Sequence, residues 1–225
     1  MRSNILSLVA ATLIIASSTQ LSNAETLRWT RAADALTLDP HAQNDGVTHA
    51  VLNHIYESLI WRDAEGKLIP RLATEWSLKE GDPTTWVFKL RKDVKFHDGA
   101  DFTAEDVVFT LDRARSDKSN LRQLHADVEK VTAVDDNTVE VKLRAPNAIY
   151  PNNLTGTYIL DKGWAEKHDV TDVQDIAAGK DNYAVRNTNG TGPYTLKSRE
   201  VGVQTVLDAN PAYRAEKKPE ITEIV

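Results

Sequence analysis

A chain of 225 residues with 41% hydrophobic and 27% charged side chains can bury a sizeable core, and its composition is that of a soluble globular protein, not a disordered or membrane-embedded one. The acidic balance, a formal charge of −6, argues against nucleic acid as a partner. There is no cysteine, which excludes disulfides, thiol catalysis and cysteine metal centres.

The first 24 residues, MRSNILSLVAATLIIASSTQLSNA, combine a positive start at Arg2, an apolar run over 5–16 and small residues at Ser22-Asn23-Ala24. This pattern predicts a cleavable secretory signal, cut after Ala24. The apolar run is shorter than the ~20 residues a spanning helix needs. With no cysteine to carry a lipid, the exported chain is expected to be free in the periplasm of a double-membraned bacterium.

Residues 26–30 read as a first strand, and Pro40 in Leu38-Asp39-Pro40-His41 forbids its regular continuation. The polar segment 42–46 suits a tight loop at Asn44, Asp45 and Gly46. Val47, Val51, Ile55 and Leu59 fall four apart and predict an amphipathic helix over 47–59. A short strand, a turn over 63–66 and a second strand entering Pro70 follow. Ala73 and Trp76 lie on a short further segment, with Trp76 expected to pack in the core.

The most legible stretch is 86–115. Trp86, Phe88 and Leu90 alternate with Val87 and Lys89 as in a strand with one buried face. Asp98-Gly99 is a turn dipeptide. Thr103 is expected to cap a helix by accepting from the amide near Asp106, with Glu105 and Asp106 placing negative charge in the first turn. Val107, Val108, Leu111 and Ala114 share one helical stripe.

Residues 116–127 are polar and loop-like, and 128–143 read as a hairpin turning at Asp135-Asp136-Asn137. Residues 150–160 are irregular with a short strand at 158–160, 163–168 form a short helix, and 169–181 favour no element. Gly190, Gly192 and Pro193 predict a rigid loop feeding a strand from Tyr194, paired with 201–207. The last residues start a further strand. There is no internal repeat or low-complexity linker.

Enzyme chemistry is not expected, because neither G-x-S-x-G nor a Ser-His-carboxylate arrangement beside an oxyanion loop is present, and the phosphate-binding G-x-x-x-x-G-K-[ST] is absent. No cofactor is implied. His41, Asp45, His49 and His54 cluster in sequence, and imidazole suits zinc or nickel. His49 and His54 are five apart, however, and miss the four-residue spacing that puts two ligands on one helix face. Surface or packing histidines are the plainer reading, and no metal site is assigned. His97 in F-H-D-G is expected to be structural.

The stretch DVKFHDGADFTAEDVVFTLDRA (93–114) resembles the signature of the solute-binding proteins of peptide, opine and nickel ABC importers, the bacterial extracellular solute-binding protein family 5. HIYESLIWRDAEGKLIPRLATEWS (54–77), NGTGPYTLK (189–197) and DANPAYRAEKKPEITEIV (208–225) resemble the same family in the same order. The resemblance covers nearly all of 26–225 and corresponds to the N-terminal half of such proteins. It implies an α/β fold of the periplasmic-binding-protein-like type II, with two lobes around a cleft. This chain would supply the N-terminal lobe and the start of the crossing strands as one domain, 25–225, with the second lobe missing. It further implies a periplasmic component of an ABC importer, binding a dipeptide, an oligopeptide or a related solute between the lobes without catalysis. The partners would be a peptide or peptide-like small solute and an inner-membrane permease, with no nucleic acid, and the protein is expected to be a monomer. The cleft-lining positions that match are Asn44, Asp45, Gly46, Gly190, Thr191 and Gly192. Two other readings stay open: a non-functional fragment of such a protein, and a metal-binding protein using His41, His49 and His54.

Overall fold

The computed structural model describes residues 25–215 and 219–225. The expected signal segment, 1–24, lies outside them. In chain order the elements are β1 (Glu25–Leu27), α1 (Gly46–Ile55), β2 (Ile60–Arg62), β3 (Leu68–Pro70), β4 (Ala73–Lys79), β5 (Asp82–Leu90), α2 (Ala104–Ala114), β6 (Val128–Asp135), β7 (Thr138–Leu143), α3 (Lys162–Lys167), β8 (Tyr194–Glu200), β9 (Gln204–Ala209) and β10 (Ile221–Ile224). Short 3-10 turns occupy Arg122–His125, Tyr150–Gly156 and Tyr183–Val185.

Two four-stranded sheets carry the two cores. The first, in the order β4-β5-β7-β6, is antiparallel throughout. The alternation read at 86–90 places Phe88 opposite Val139 and Trp86 opposite Val141. α2 lays Val107 and Leu111 into the same core, and Trp76 packs on it from β4. β5 begins at Asp82, earlier than the alternation alone suggests. The Asp82 carboxylate accepts from the Thr84 amide (3.0 Å), the Thr84 and Thr85 hydroxyls (2.6 and 2.8 Å) and Lys142 Nζ (2.9 Å), which fixes the strand entry around Pro83.

The second sheet runs β1-β10-β9-β8, with β1 parallel to β10 and the other pairs antiparallel. Its core joins Leu52 and Ile55 of α1, Trp164 of α3, Leu207 and Ile224. β2 and β3 form a separate hairpin. No helix among the described residues is long and apolar enough to cross a membrane.

Several expectations need correction. α1 stops at Ile55, not at 59, because the Ile55 carbonyl is taken by the Gly192 amide (2.9 Å) and Tyr56 turns to extended backbone. Leu59 instead accepts from the amides of Arg71 and Ala73. Residues 158–160 form no strand; a single bridge pairs Tyr158 with Ser58. β9 starts at Gln204, after a turn in which Gly202 takes a φ of +76°. The start of α2 is where the sequence places it. There the Asp106 carboxylate reaches back to accept from the Thr103 amide (2.8 Å) and hydroxyl (3.2 Å), so the side chain of Thr103 donates as part of the cap.

Candidate functional site

α1 positions the residues singled out by sequence, at its two opposite ends. Asp45 caps the N-terminus: its Oδ1 accepts from the amides of Val47 (2.9 Å) and Thr48 (3.0 Å). Burial pushes the Asp45 carboxyl up, but these amide bonds outweigh it and hold the group below the ordinary carboxylate range. Asn44 is exposed, with Oδ1 3.2 Å from His49 Nε2. The Gly46 carbonyl accepts from Arg31 (3.2 Å).

Gly190, Thr191 and Gly192 are buried under the C-terminal end of α1. The His97 amide donates to the Gly190 carbonyl (2.9 Å), and the Gly190 amide donates to His97 Nδ1 (3.3 Å). With Nδ1 accepting, the ring proton sits on Nε2, which donates to the Gly192 carbonyl at 3.0 Å. This is the structural role expected for His97. The Thr191 hydroxyl donates to Glu57 Oε2 (3.0 Å).

Glu57 is the charged centre of this end. Its side chain is fully buried and accepts from Arg214 (2.5 and 2.8 Å), Arg71 (2.9 Å) and the Tyr213 hydroxyl (3.1 Å). Burial pushes the carboxyl up, but Arg214 first and Arg71 second outweigh it, so Glu57 stays ionised. The two predicted groups are therefore separated by the ten residues of α1, about 15 Å. They do not meet in one pocket.

A groove of about 500 Å³ lies elsewhere on α1, between its outer face, the segment 28–35 after β1, and the β8–β9 turn. Trp29, Val47, Val51 and Val203 give it apolar walls, and Arg28, Arg31, Asp34 and His54 supply polar groups. None of the six predicted residues lines it. Two of its apolar side chains are well exposed, Trp29 at 43% and Val203 at 69%. The Arg31 guanidinium stacks on Trp29, 4.7 Å from the ring centre.

Arg199 anchors the groove from beneath. Its guanidinium is buried and faces both Asp34 carboxylate oxygens at 3.3 Å, and it also donates to the Ala35 carbonyl and to Thr205 Oγ1 (2.9 Å). The Gly202 amide adds a bond to Asp34 Oδ2 (2.9 Å). The loop after β1 and the β8–β9 turn are thereby held together.

The histidines clustered in sequence diverge in space. His41 is buried, with Nε2 donating to the Tyr158 carbonyl (2.9 Å) and Nδ1 accepting from Arg113 (2.8 Å). Burial, with Arg113 second, takes its pKa down to about 3. His49 Nδ1 lies 2.9 Å from the Tyr158 hydroxyl, while His54 faces the groove. No three His, Asp or Glu side chains among the described residues come together as metal ligands.

The sequence pattern assigns Trp29 and Val203 to strands, whereas the structure places Trp29 after β1 and Val203 before β9, where both wall the groove. The one signal available was bulky apolar side chains beside loop-forming residues: Trp29 ahead of Arg31-Ala32-Ala33, and Val203 behind Gly202.

Known proteins share this architecture. A family profile described as "Bacterial extracellular solute-binding proteins, family 5 Middle" matches residues 67–225. The glutathione-binding protein GsiB of Escherichia coli is 34% identical over 166 residues, covering 71% of this chain and 30% of GsiB. GsiB of Pectobacterium atrosepticum is 38% identical over 120 residues, 52% of this chain and 23% of its own. Among solved structures, MoaA from A. tumefaciens in complex with mannopinic acid superposes with a TM-score of 0.76 at 30% identity, covering 89% of this chain and 40% of MoaA. The periplasmic binding protein DppA of Helicobacter pylori, in complex with a peptide, gives 0.75 at 26% identity, covering 89% and 42%. The chain spans 30% of the length of the E. coli relative. These neighbours are type II periplasmic binding proteins, and the mixed α/β fold described above is part of that fold. With the profile match extending over most of the chain, it belongs to the bacterial extracellular solute-binding proteins, family 5.

Proposed function

We propose that the chain is the solute-binding component of an ABC importer, or part of one, and takes up a peptide or peptide-like small solute in the groove beside α1. The groove itself carries this reading: an open, apolar-walled cavity of about 500 Å³ with both signs of charge on its polar groups, built on a fold whose relatives bind glutathione, peptide and mannopinic acid. Apolar walls accept side chains, while Arg28, Arg31 and Asp34 match the charged groups of a zwitterionic solute.

In this reading the solute lies between two lobes, is bound without catalysis, and closure over it is read by the permease. Residues 1–24 direct export and are removed after Ala24, and 25–225 act as one domain, as a monomer in the periplasm. Asn44, Asp45 and Gly46 stand outside the groove's lining, just beyond Val47 at the N-terminal end of α1, and in this reading meet the end of an extended solute that runs past the groove, through amide, carboxylate and main-chain groups. Gly190, Thr191 and Gly192 act from below, holding the other end of that helix, which agrees with their burial.

Thermal unfolding of residues 25–225 with and without trialanine and reduced glutathione tests the reading, since a ligand that binds only the native state raises its stability. A midpoint that rises with either compound, and a rise lost in Val203→Asp, is the expected result. An unmoved midpoint with both compounds overturns it.

A further inference from the structure

We propose that His54 supplies the groove's side-chain hydrogen bond to the solute, pairing with a peptide N–H or carbonyl through the imidazole edge that faces the cavity. This rests on the groove being the solute site, as proposed above.

The geometry singles out this residue. Val47, Val51 and His54 are spaced by four and three and form the stripe of α1 that lines the groove. Two of the three are apolar, so His54 is the hydrogen-bonding side chain on that helical wall. Its ring stands edge-on to Tyr194, 5.6 Å between centres at 87°, which fixes the ring plane.

Comparison with the other histidines sharpens the point. His41, His49, His97 and His125 each engage protein partners through both ring nitrogens. His168 lies flat on Tyr183, with ring centres 4.2 Å apart. His54 is half-buried and lines the groove, neither ring nitrogen has a hydrogen-bond partner among the described residues, and neither is a fully buried polar atom. A polar group in that position is satisfied by whatever enters the groove. Burial first, and Arg71 second, hold its pKa below the ordinary histidine value, so the ring is neutral at neutral pH. A neutral imidazole has one donor and one acceptor, which suits the peptide group. A free carboxylate would be met by Arg28 or Arg31.

The test is calorimetric titration of trialanine and reduced glutathione into wild type, His54→Phe, His54→Gln and Val203→Asp. Phe keeps a ring against Tyr194 and Gln restores a donor and an acceptor. We expect Phe to weaken Kd by roughly 3- to 12-fold, the equivalent of one neutral hydrogen bond, and Gln to recover most of that loss. The ring-nitrogen NMR signals of His54 in the unaltered protein should also move when peptide saturates the groove. Wild-type affinity in the Phe variant, or ring signals that do not move, overturns the role of His54 while a loss in Val203→Asp leaves the groove standing. Wild-type affinity in both variants overturns the groove reading itself, and this proposal with it.

Discussion

Gly190 lies so close to Ile55 that a β-carbon on it would stand 2.1 Å from the Ile55 carbonyl oxygen. Gly192 is nearly as tight, at 2.6 Å from the same atom, and its amide bonds that oxygen at 2.9 Å. The obstacle is helix backbone, which cannot swing aside as a side chain does. Gly190→Ala should therefore lower stability by about 1–3 kcal/mol. Gly46→Ala, where nothing lies within 4 Å, should change it by less than about 0.5 kcal/mol. Urea unfolding of the two variants checks this. Equal midpoints would mean that the 190–192 loop can withdraw from the helix end.

Asp45 offers a way to separate a cap from a solute contact. Asp45→Ala should lose about 1 kcal/mol by releasing the Val47 and Thr48 amides, whereas Asp45→Asn should stay close to wild type. If the carboxylate also touches solute, the Asn variant will show weaker binding at unchanged stability. A stable Ala variant would place the effective start of α1 elsewhere.

The bidentate pair of Arg113 with Asp39, both contacts at 2.7 Å, is enclosed by the second core. Asp39 also accepts from the Gln174 amide (2.9 Å), and Arg113 donates to the carbonyls of Val170 (3.2 Å) and Asp172 (2.9 Å). Two chain segments, the one carrying Asp39 and the run 170–174, are tied here to α2. Arg113→Met should cost about 3–5 kcal/mol because it strands a buried carboxylate. Adding Asp39→Asn to the same chain should recover part of that loss. A double-mutant cycle reads the difference, and strictly additive losses would mean that the two groups do not interact.

Acid should weaken the fold well above the carboxylate range. Burial takes His125 down to about 4 and His41 to about 3, and lowers His49, His54 and His97 as well. The unfolded chain titrates its histidines near 6.5, so below that pH it binds protons that the folded chain refuses. The contribution is fully present above pH 6.5 and is lost progressively down to about pH 4 and 3, the folded values of His125 and His41. Asp106 and Asp161, raised by burial, act in the opposite sense but in the carboxylate range. Urea midpoints should fall from pH 7 to pH 5, with a shallower slope in His125→Gln. A midpoint that rises on acidification would contradict the assignment.

What was readable in the sequence was local. Trp86, Phe88 and Leu90 declare β5 by alternation, and Thr103 with Asp106 declares the start of α2, because the partners lie within a few residues. The overrun of α1 has the opposite cause. Val47, Val51, Ile55 and Leu59 keep a helical period, but the Gly192 amide and the charges around Glu57 stop the helix at Ile55, and both come from distant parts of the chain. The groove is hidden for the same reason. Trp29, Val51 and Val203 have no common motif, and only the pairing of the second sheet brings them together. Family resemblance pointed to the class of protein without pointing to these side chains.

The pairing of β1 with β10 joins residues nearly 200 positions apart; the Thr26 hydroxyl, for example, donates to Glu223 across 197 positions. Contacts of that range form late, since loop-closure entropy is lost before they return any stability. The β4–β7 sheet and α2 draw mostly on near neighbours in sequence and can consolidate while synthesis continues. The sheet that frames the groove must wait until residues 221–225 have emerged. Synthesis order thus imposes a delay on this half of the molecule, during which the first strand stays unpaired.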